Sequence, residues 1–242
     1  MKLILMPGMD GTGELFGPLL HALGNSIESS VLRYPTDEPI GYSELLPRVR
    51  AALPGSGSFV LLGESFSGPL AIMMADEAPA GLRGVILSAS FATNPIQWFP
   101  RIARPLVQPV FFRAMPRFTQ IKALLGQYAT PELCALLFKA NSAVHPLVMA
   151  ARARAILTVD VMAQFKACPY PILYLRGQRD RVVRKQVLKG LLLARPTLQV
   201  VTLPAPHLVL QVAPEESAKA IREFAAATRG ATDPVRTAAP RG

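Results

Sequence analysis

Apolar residues fall along this chain in two alternating rhythms. Short, mostly apolar runs are separated by longer stretches in which apolar residues return every three or four positions. The short runs predict strands at Lys2–Met6, 30–34, 59–63, 85–89, 171–176 and Gln199–Leu203. Residues 59–63 contain no polar side chain, as expected of a strand covered on both faces. The longer stretches predict helices. Over 15–23, Leu15, Leu19 and Leu20 share one face, with Leu23 beside them. Ser43 can cap a helix through residue 53 that carries Leu45, Leu46, Val49 and Leu53. Further helices are expected at 67–78, 184–193 and 214–227. Strand alternating with helix is the pattern of an α/β domain with a mostly parallel sheet and crossover helices.

The rhythm breaks between residues 91 and 166. This stretch contains no convincing strand and is rich in proline (Pro95, Pro100, Pro105, Pro109, Pro116, Pro131, Pro146). Helical pieces are expected at 131–139 and Pro146–Thr158, and the whole reads as a helical cap inserted into the α/β core. The core is thus expected at 1–90 and 167–229. Residues 230–242 are small and polar without periodicity, which predicts a disordered tail.

Composition narrows the class. Half of the 242 residues are hydrophobic, mean hydropathy is +0.30 and 17% are charged, so a sizeable core can be buried and a disordered chain is excluded. No run approaches the roughly 20 apolar residues that span a bilayer. The apolar start resembles a signal peptide only briefly, because a Gly-rich turn with Asp10 interrupts it where a cleavage region should lie. A cytoplasmic location is the default expectation. Cys134 and Cys168 make no disulfide framework and have no metal-ligand spacing, so reduced thiols filling apolar space are expected.

The net charge of +10 is unevenly spread. Residues 1–90 carry 5 Lys/Arg against 9 Asp/Glu, residues 91–166 carry 9 against 2, and residues 167–242 carry 12 against 5. A basic surface can attract nucleic acid, anionic lipid or an acidic protein. No nucleic-acid motif accompanies it, so nucleic acid is not expected as a partner.

The candidate chemistry sits at the ends of predicted strands. Strand 59–63 runs into Gly63-Glu64-Ser65-Phe66-Ser67-Gly68 and then a helix. A serine on so tight a turn is held in a strained backbone conformation, and its neighbours two before and two after must be small. Gly63 and Ser67 are. The same window also suits a Gly/Ser-rich turn without chemistry, so partners must decide. A serine hydroxyl needs a base to take its proton. Of the three histidines, His21 lies in the first helix among Leu and Ala, and His145 stands in the insertion beside Pro146. His207 follows the last strand, in Pro204-Ala205-Pro206-His207. An acid must then fix the tautomer and stabilise the imidazolium. Asp180 follows the next-to-last strand in Gly177-Gln178-Arg179-Asp180-Arg181-Val182-Val183; a surface ion pair with Arg179 or Arg181 is the alternative reading. Asp160 lacks such a loop.

Between strand and helix, the Ser65 window resembles the nucleophile elbow of the α/β-hydrolases, with Ser67 departing from G-x-S-x-G. The Asp180 stretch resembles that family's G-x-x-D-x-V loop, and the chain order Ser65, Asp180, His207 is its order. The loop Pro7-Gly8-Met9-Asp10-Gly11-Thr12-Gly13 looks like its H-G-x-x-G turn with Pro7 in place of His. The resemblance, to small bacterial carboxylesterases and pimeloyl methyl ester esterases, covers nearly the whole chain except cap and tail. It implies a minimal α/β-hydrolase fold with a six-stranded sheet. It also implies a catalytic triad of Ser65, His207 and Asp180, and an oxyanion hole formed by the backbone N–H groups of Phe66 and Met9. The implied activity is carboxylic ester cleavage through an acyl-enzyme on Ser65, with no cofactor or metal. A dinucleotide fingerprint in the first loop fails on spacing: with Gly11 and Gly13 as the first pair, the third position is Phe16.

Substrate choice is expected to lie in the insertion. Trp98, Phe99, Phe111, Phe112 and Phe118 are interleaved with Arg101, Arg104, Arg113 and Arg117. One reading is an apolar acyl pocket, with Trp98, Phe99, Phe111 and Phe112 as substrate-binding candidates. Its basic rim would meet anionic lipid or an acidic acyl carrier protein; the other reading is core aromatics under a solvated basic face. Beside an esterase for small acyl esters stand two alternatives, a thioesterase or acyltransferase on carrier-bound groups and a catalytically dead binding protein.

Overall fold

In the computed structural model, residues 1–96 and 101–230 are described. Six strands, β1 (Lys2–Met6), β2 (Glu28–Val31), β3 (Phe59–Glu64), β4 (Leu82–Ser88), β5 (Ile172–Gly177) and β6 (Gln199–Leu203), form one sheet in the order β2-β1-β3-β4-β5-β6. Every pair is parallel. The alternation along each strand feeds two cores. From β1, Ile4 and Met6 point to one side with Leu61 of β3, while Leu3 and Leu5 point to the other with Val60 and Leu62.

Helices cover both faces. On the first lie α2 (Tyr42–Ala51), α3 (Ser67–Asp76), α8 (Met162–Ala167) and α9 (Lys185–Ala194), which bury Leu45, Leu70, Phe165 and Leu191. On the second lie α1 (Gly17–Leu23) and α11 (Pro214–Thr228), which bury Leu19, Ile221 and Phe224. The short α10 (Val209–Val212) follows β6. Between β4 and β5 come α4 (Pro109–Ala114), α5 (Arg117–Leu124), α6 (Pro131–Ser142) and α7 (Pro146–Thr158), ahead of α8. An antiparallel bridge between Thr93 and Asp160 ties the two ends of this insertion together. A third cluster, Leu15, Leu125, Leu137, Ala140 and Leu208, packs it on the core.

Several elements depart from expectation. The second strand ends at Val31, not residue 34, because the chain peels off the sheet edge: Tyr34 N–H donates to the Gly11 carbonyl at 2.8 Å instead. Helix α2 starts one residue before Ser43; Glu44 Oε2 accepts the Gly41 N–H (3.1 Å) and takes the capping role. The proline-rich insertion holds α4, α5 and α8, which its broken periodicity did not announce. Of the tail expected at 230–242, residues 231–242 lie outside the described residues. Among the described residues no single helix is long and apolar enough to cross a membrane; only α6 and α7 together, bent by 95°, reach that length.

The strand order places the site. The chain runs from β1 outward to β2 and then crosses back to β3 on the other side of β1. At such a switch point the loops after two neighbouring strands part and leave a crevice. Met6, the last residue of β1, stands in register with Gly63, one residue before the end of β3. The Gly-rich loop and the Ser65 turn therefore rise side by side.

Candidate active site

Ser65 occupies the turn between β3 and α3 with φ 47°, the left-handed region that a non-glycine residue avoids. The turn is held from three sides. Ser65 N–H donates to the Ser88 carbonyl of β4 at 2.8 Å, and the Ser65 carbonyl accepts from Ser90 Oγ at 2.6 Å. Strand and helix come so close that a Cβ on Gly63 would stand 2.6 Å from the Ser67 carbonyl oxygen. That contact, with backbone rather than a movable side chain, is why glycine is needed two residues before the serine. Ser67 has a different reason. Its hydroxyl donates to the Pro7 carbonyl of the loop after β1 and also meets Tyr34 Oη at 2.7 Å. The departure from glycine at this position thus ties the turn to the neighbouring loop.

The three residues expected to act together converge from the ends of β3, β5 and β6. Ser65 Oγ lies 2.9 Å from His207 Nε2, and His207 Nδ1 lies 3.0 Å from Asp180 Oδ2. The side chains of His207 and Asp180 are only 5% and 4% exposed, so the pair is shielded from water. The other oxygen of Asp180 accepts the N–H groups of Val182 and Val183 at 2.8 and 2.9 Å. Asp180 is thus an acceptor on every side, and it selects the tautomer with the proton on Nδ1 and Nε2 free to accept from Ser65. Burial opposes charging of His207. The Asp180 charge and hydrogen bond, together with the Glu64 charge, outweigh it and raise the imidazole above its ordinary range. Neither Arg179 nor Arg181 pairs with Asp180; Arg179 donates to Gln127. His21 is exposed at the end of α1, and His145 is an exposed cap of α7.

Phe66 is fully buried at the start of α3, its ring stacked on Tyr42 at 4.6 Å and its carbonyl accepting from Tyr42 Oη. Met9 sits in a tight turn closed by the Gly11 N–H to the Gly8 carbonyl at 3.0 Å. Of the pocket candidates, Trp98 and Phe99 lie outside the described residues. Phe111 is 57% exposed on α4, and Phe112 is half-buried. Two clefts border the Asp180 loop, one of about 360 Å³ beside Tyr128 and Pro206 and one of about 410 Å³ beside Ile96 and Val182. Neither is lined by Ser65 or His207.

Sequence reasoning missed a buried polar group behind the serine. Glu64, the last residue of β3, is 3% exposed. Its Oε1 accepts from Gln211 Nε2 of α10 at 2.8 Å, and its Oε2 has no hydrogen-bond partner of normal geometry among the described residues. Burial pushes its carboxyl up to about 7; Gln211 and His207 act against the rise, and Asp10 adds to it. Asp10 is also buried and accepts both the N–H (2.9 Å) and the hydroxyl of Thr12. Arg152, from α7, is the largest fully buried side chain and reaches into the same region. An alternating Arg-Ala-Arg-Ala run gives no hint of which arginine turns inward. No group of three or more His, Cys, Asp or Glu suited to a metal occurs among the described residues.

Comparison with known proteins bears on this geometry. A family model described as "Alpha/beta hydrolase family" matches residues 4–220. No curated protein matches the chain. Solved structures do. A thermophilic esterase from Thermogutta terrifontis is 20% identical at TM-score 0.78, covering 95% of this chain and 90% of that one. MenH from S. aureus is 14% identical at TM-score 0.79, covering 95% of each. The enol-lactonase of Burkholderia xenovorans LB400 is 17% identical at TM-score 0.75, covering 93% of this chain and 91% of that one. At such identities the structures share the fold.

Proposed function

The chain belongs to the alpha/beta hydrolase family, and from that premise we propose that it is a serine hydrolase cleaving carboxylic esters through an acyl-enzyme on Ser65. The observation that carries this reading is the continuous hydrogen-bonded path Ser65 Oγ, His207, Asp180, with links of 2.9 and 3.0 Å.

In this mechanism Ser65 Oγ attacks the ester carbonyl carbon while its proton passes to His207 Nε2. Asp180 holds the resulting imidazolium. The carbonyl oxygen, now an anion, is met by the backbone N–H groups of Phe66 and Met9, with the start of α3 adding its dipole. Collapse breaks the bond to the alkoxide, which takes the Nε2 proton and leaves as alcohol. A water then attacks the acyl-enzyme, giving its proton to the same nitrogen, and the acid departs as Ser65 recovers its hydrogen. The proton taken from Ser65 leaves with the alcohol and one from water replaces it, so the three side chains end the cycle as they began it.

Residues 91–166 act in this reading as a helical cap over the core, and the substrate is a small-molecule acyl ester. The same machinery serves thioester cleavage or transfer to another acceptor, and the basic insertion motivates a carrier-bound acyl group or an anionic lipid surface as the source. The Ser65–His207 contact argues against a dead binding protein. The direct test is a p-nitrophenyl ester series with burst kinetics and mass spectrometry of the quenched enzyme. Turnover is expected with one acyl adduct on Ser65, and Ser65→Ala abolishes both. Absence of hydrolysis at every chain length, with wild type and Ser65→Ala alike, sinks the proposal.

A further inference from the structure

Arg152 belongs to the insertion, yet its guanidinium ends in the loop that follows β1. Nη1 donates to the Met9 carbonyl at 2.8 Å and to the Asp10 carbonyl at 2.9 Å, and Nη2 donates to the Pro35 carbonyl at 2.7 Å. Met9 and Asp10 are the two central residues of the turn closed by Gly8 and Gly11. The side chain is 0% exposed, and the ring of Tyr34 lies 5.6 Å from its central carbon. Burial pushes the guanidinium down from its ordinary value, while the Asp10 charge acts against that. Its Nε is buried without a partner among the described residues.

Burying a cation costs several kcal/mol unless its donors are well matched. Nothing in the packing of α7 requires one here, since Val148, Ala150 and Leu157 already bury the helix. What the arginine uniquely does is hold both central carbonyls of the turn in one orientation, which a fork of fixed N–H directions can do and a point charge cannot. The Asp10 carbonyl shares its peptide plane with the Gly11 N–H, and that N–H holds the Gly8 carbonyl at 3.0 Å, whose own plane carries the Met9 N–H; fixing the turn from Arg152 thus sets the direction of that donor. The loop makes room for this contact. A Cβ on Gly11, whose φ is 73°, would stand 2.5 Å from Nη1. A second anchor runs alongside: the His145 N–H at the start of α7 donates to the Thr36 carbonyl at 2.8 Å, next to Pro35.

We propose that Arg152 is a positioning residue through which the insertion sets the geometry of the oxyanion hole, so that the cap supplies part of the catalytic machinery. The inference rests on the esterase reading given above. Its effect falls on the anionic intermediate and not on the ground-state ester, which makes no comparable demand on the Met9 N–H.

The test compares wild type with Arg152→Lys, which keeps the charge but loses the fork, and with Gly11→Ala, which disturbs the contact from the loop side. Both variants are expected to lower kcat on the order of 10- to 100-fold, less than the roughly 100- to 1,000-fold of losing an oxyanion donor outright because the Met9 N–H is misdirected and not removed, with KM within about threefold. Affinity for a trifluoromethyl ketone that forms a tetrahedral adduct on Ser65 should weaken by the same factor as kcat. The double variant should be little worse than either single one. Two results overturn the inference: kcat retained in Arg152→Lys, or a fall in kcat that tracks thermal stability while trifluoromethyl ketone affinity stays at the wild-type level. A wild-type protein that neither turns over esters nor reacts at Ser65 overturns the esterase reading and this inference with it.

Discussion

At the scale of single residues, Glu64 decides how the site responds to pH. An uncompensated carboxylate in a site this dry favours its neutral form, and the fold holds that carboxyl at about 7 against an ordinary 4.5. The folded state therefore binds the proton more tightly than the unfolded chain does. Stability from this group is present at low pH and is lost as pH rises from about 4.5 through about 7. His207, also raised, adds a loss of the same sign as pH climbs through its own folded value. Glu64→Gln keeps the Gln211 partner and removes the ionisation. It is expected to be more stable than wild type at pH 8, by about 1–3 kcal/mol in urea titrations, and nearly equal to it at pH 4.5. Because Glu64 helps to hold the proton on His207, the same variant should move the acid limb of kcat/KM to lower pH. A limb that stays in place would mean that the two groups are not coupled.

Ser67 makes the companion case. Its hydroxyl joins the Ser65 turn to the Pro7 carbonyl and gives the buried Tyr34 hydroxyl a partner. Ser67→Gly restores the commoner motif yet should cost about 1–2 kcal/mol, because it leaves Tyr34 Oη buried and unpaired. Thermal unfolding of the purified variant would read this directly, and an unchanged midpoint would refute it.

At the scale of elements, legibility followed burial. The central strands could be read from the sequence because a strand covered on both faces must be almost wholly apolar, and β3 from Phe59 to Gly63 and β5 from Ile172 to Leu175 meet that demand. The edge strand β2, Glu-Ser-Ser-Val, carries no such constraint, so its end was misplaced by the chain's turn towards Gly11. Ser65, Asp180 and His207 were readable because each follows a strand in a loop of recognisable composition. Arg152, Glu64 and Gln211 were not, since only tertiary packing decides that a helical arginine or a strand-end glutamate turns inward. The closeness of β3 to α3 carries its own prediction. Gly63→Ala places a methyl group against the Ser67 backbone, with 2.6 Å to its oxygen and 2.8 Å to its carbon, so helix and strand must part. A loss of activity of about 100-fold or more is expected, with folding largely kept by circular dichroism. Activity near wild type would show that the turn has more slack than these distances give it.

For the molecule as a whole, the uneven charge meets the placement of the insertion. Residues 1–90 carry more acid than base, while residues 91–166 carry 9 cations against 2 anions. Arg104, Arg113, Arg117 and Lys122 are exposed there, beside Ile102 and Phe118 at 85% and 70% exposure. A field of one sign over one part of a surface raises the encounter rate of substrates of opposite sign and leaves neutral ones alone. Added salt shortens its reach to about 3 Å at 1 M, against about 10 Å at 0.1 M. For a neutral acyl ester, kcat/KM is therefore expected to change less than about twofold between 0.05 and 0.5 M salt. For an acyl group presented on an acidic carrier it should fall by about tenfold. Neutralising Arg104, Arg113 and Arg117 together should flatten the second curve and leave the first where it was. Equal salt dependence for both substrates, or a carrier curve indifferent to the three substitutions, would leave the basic face as solvated surface and put substrate choice in the clefts beside the Asp180 loop.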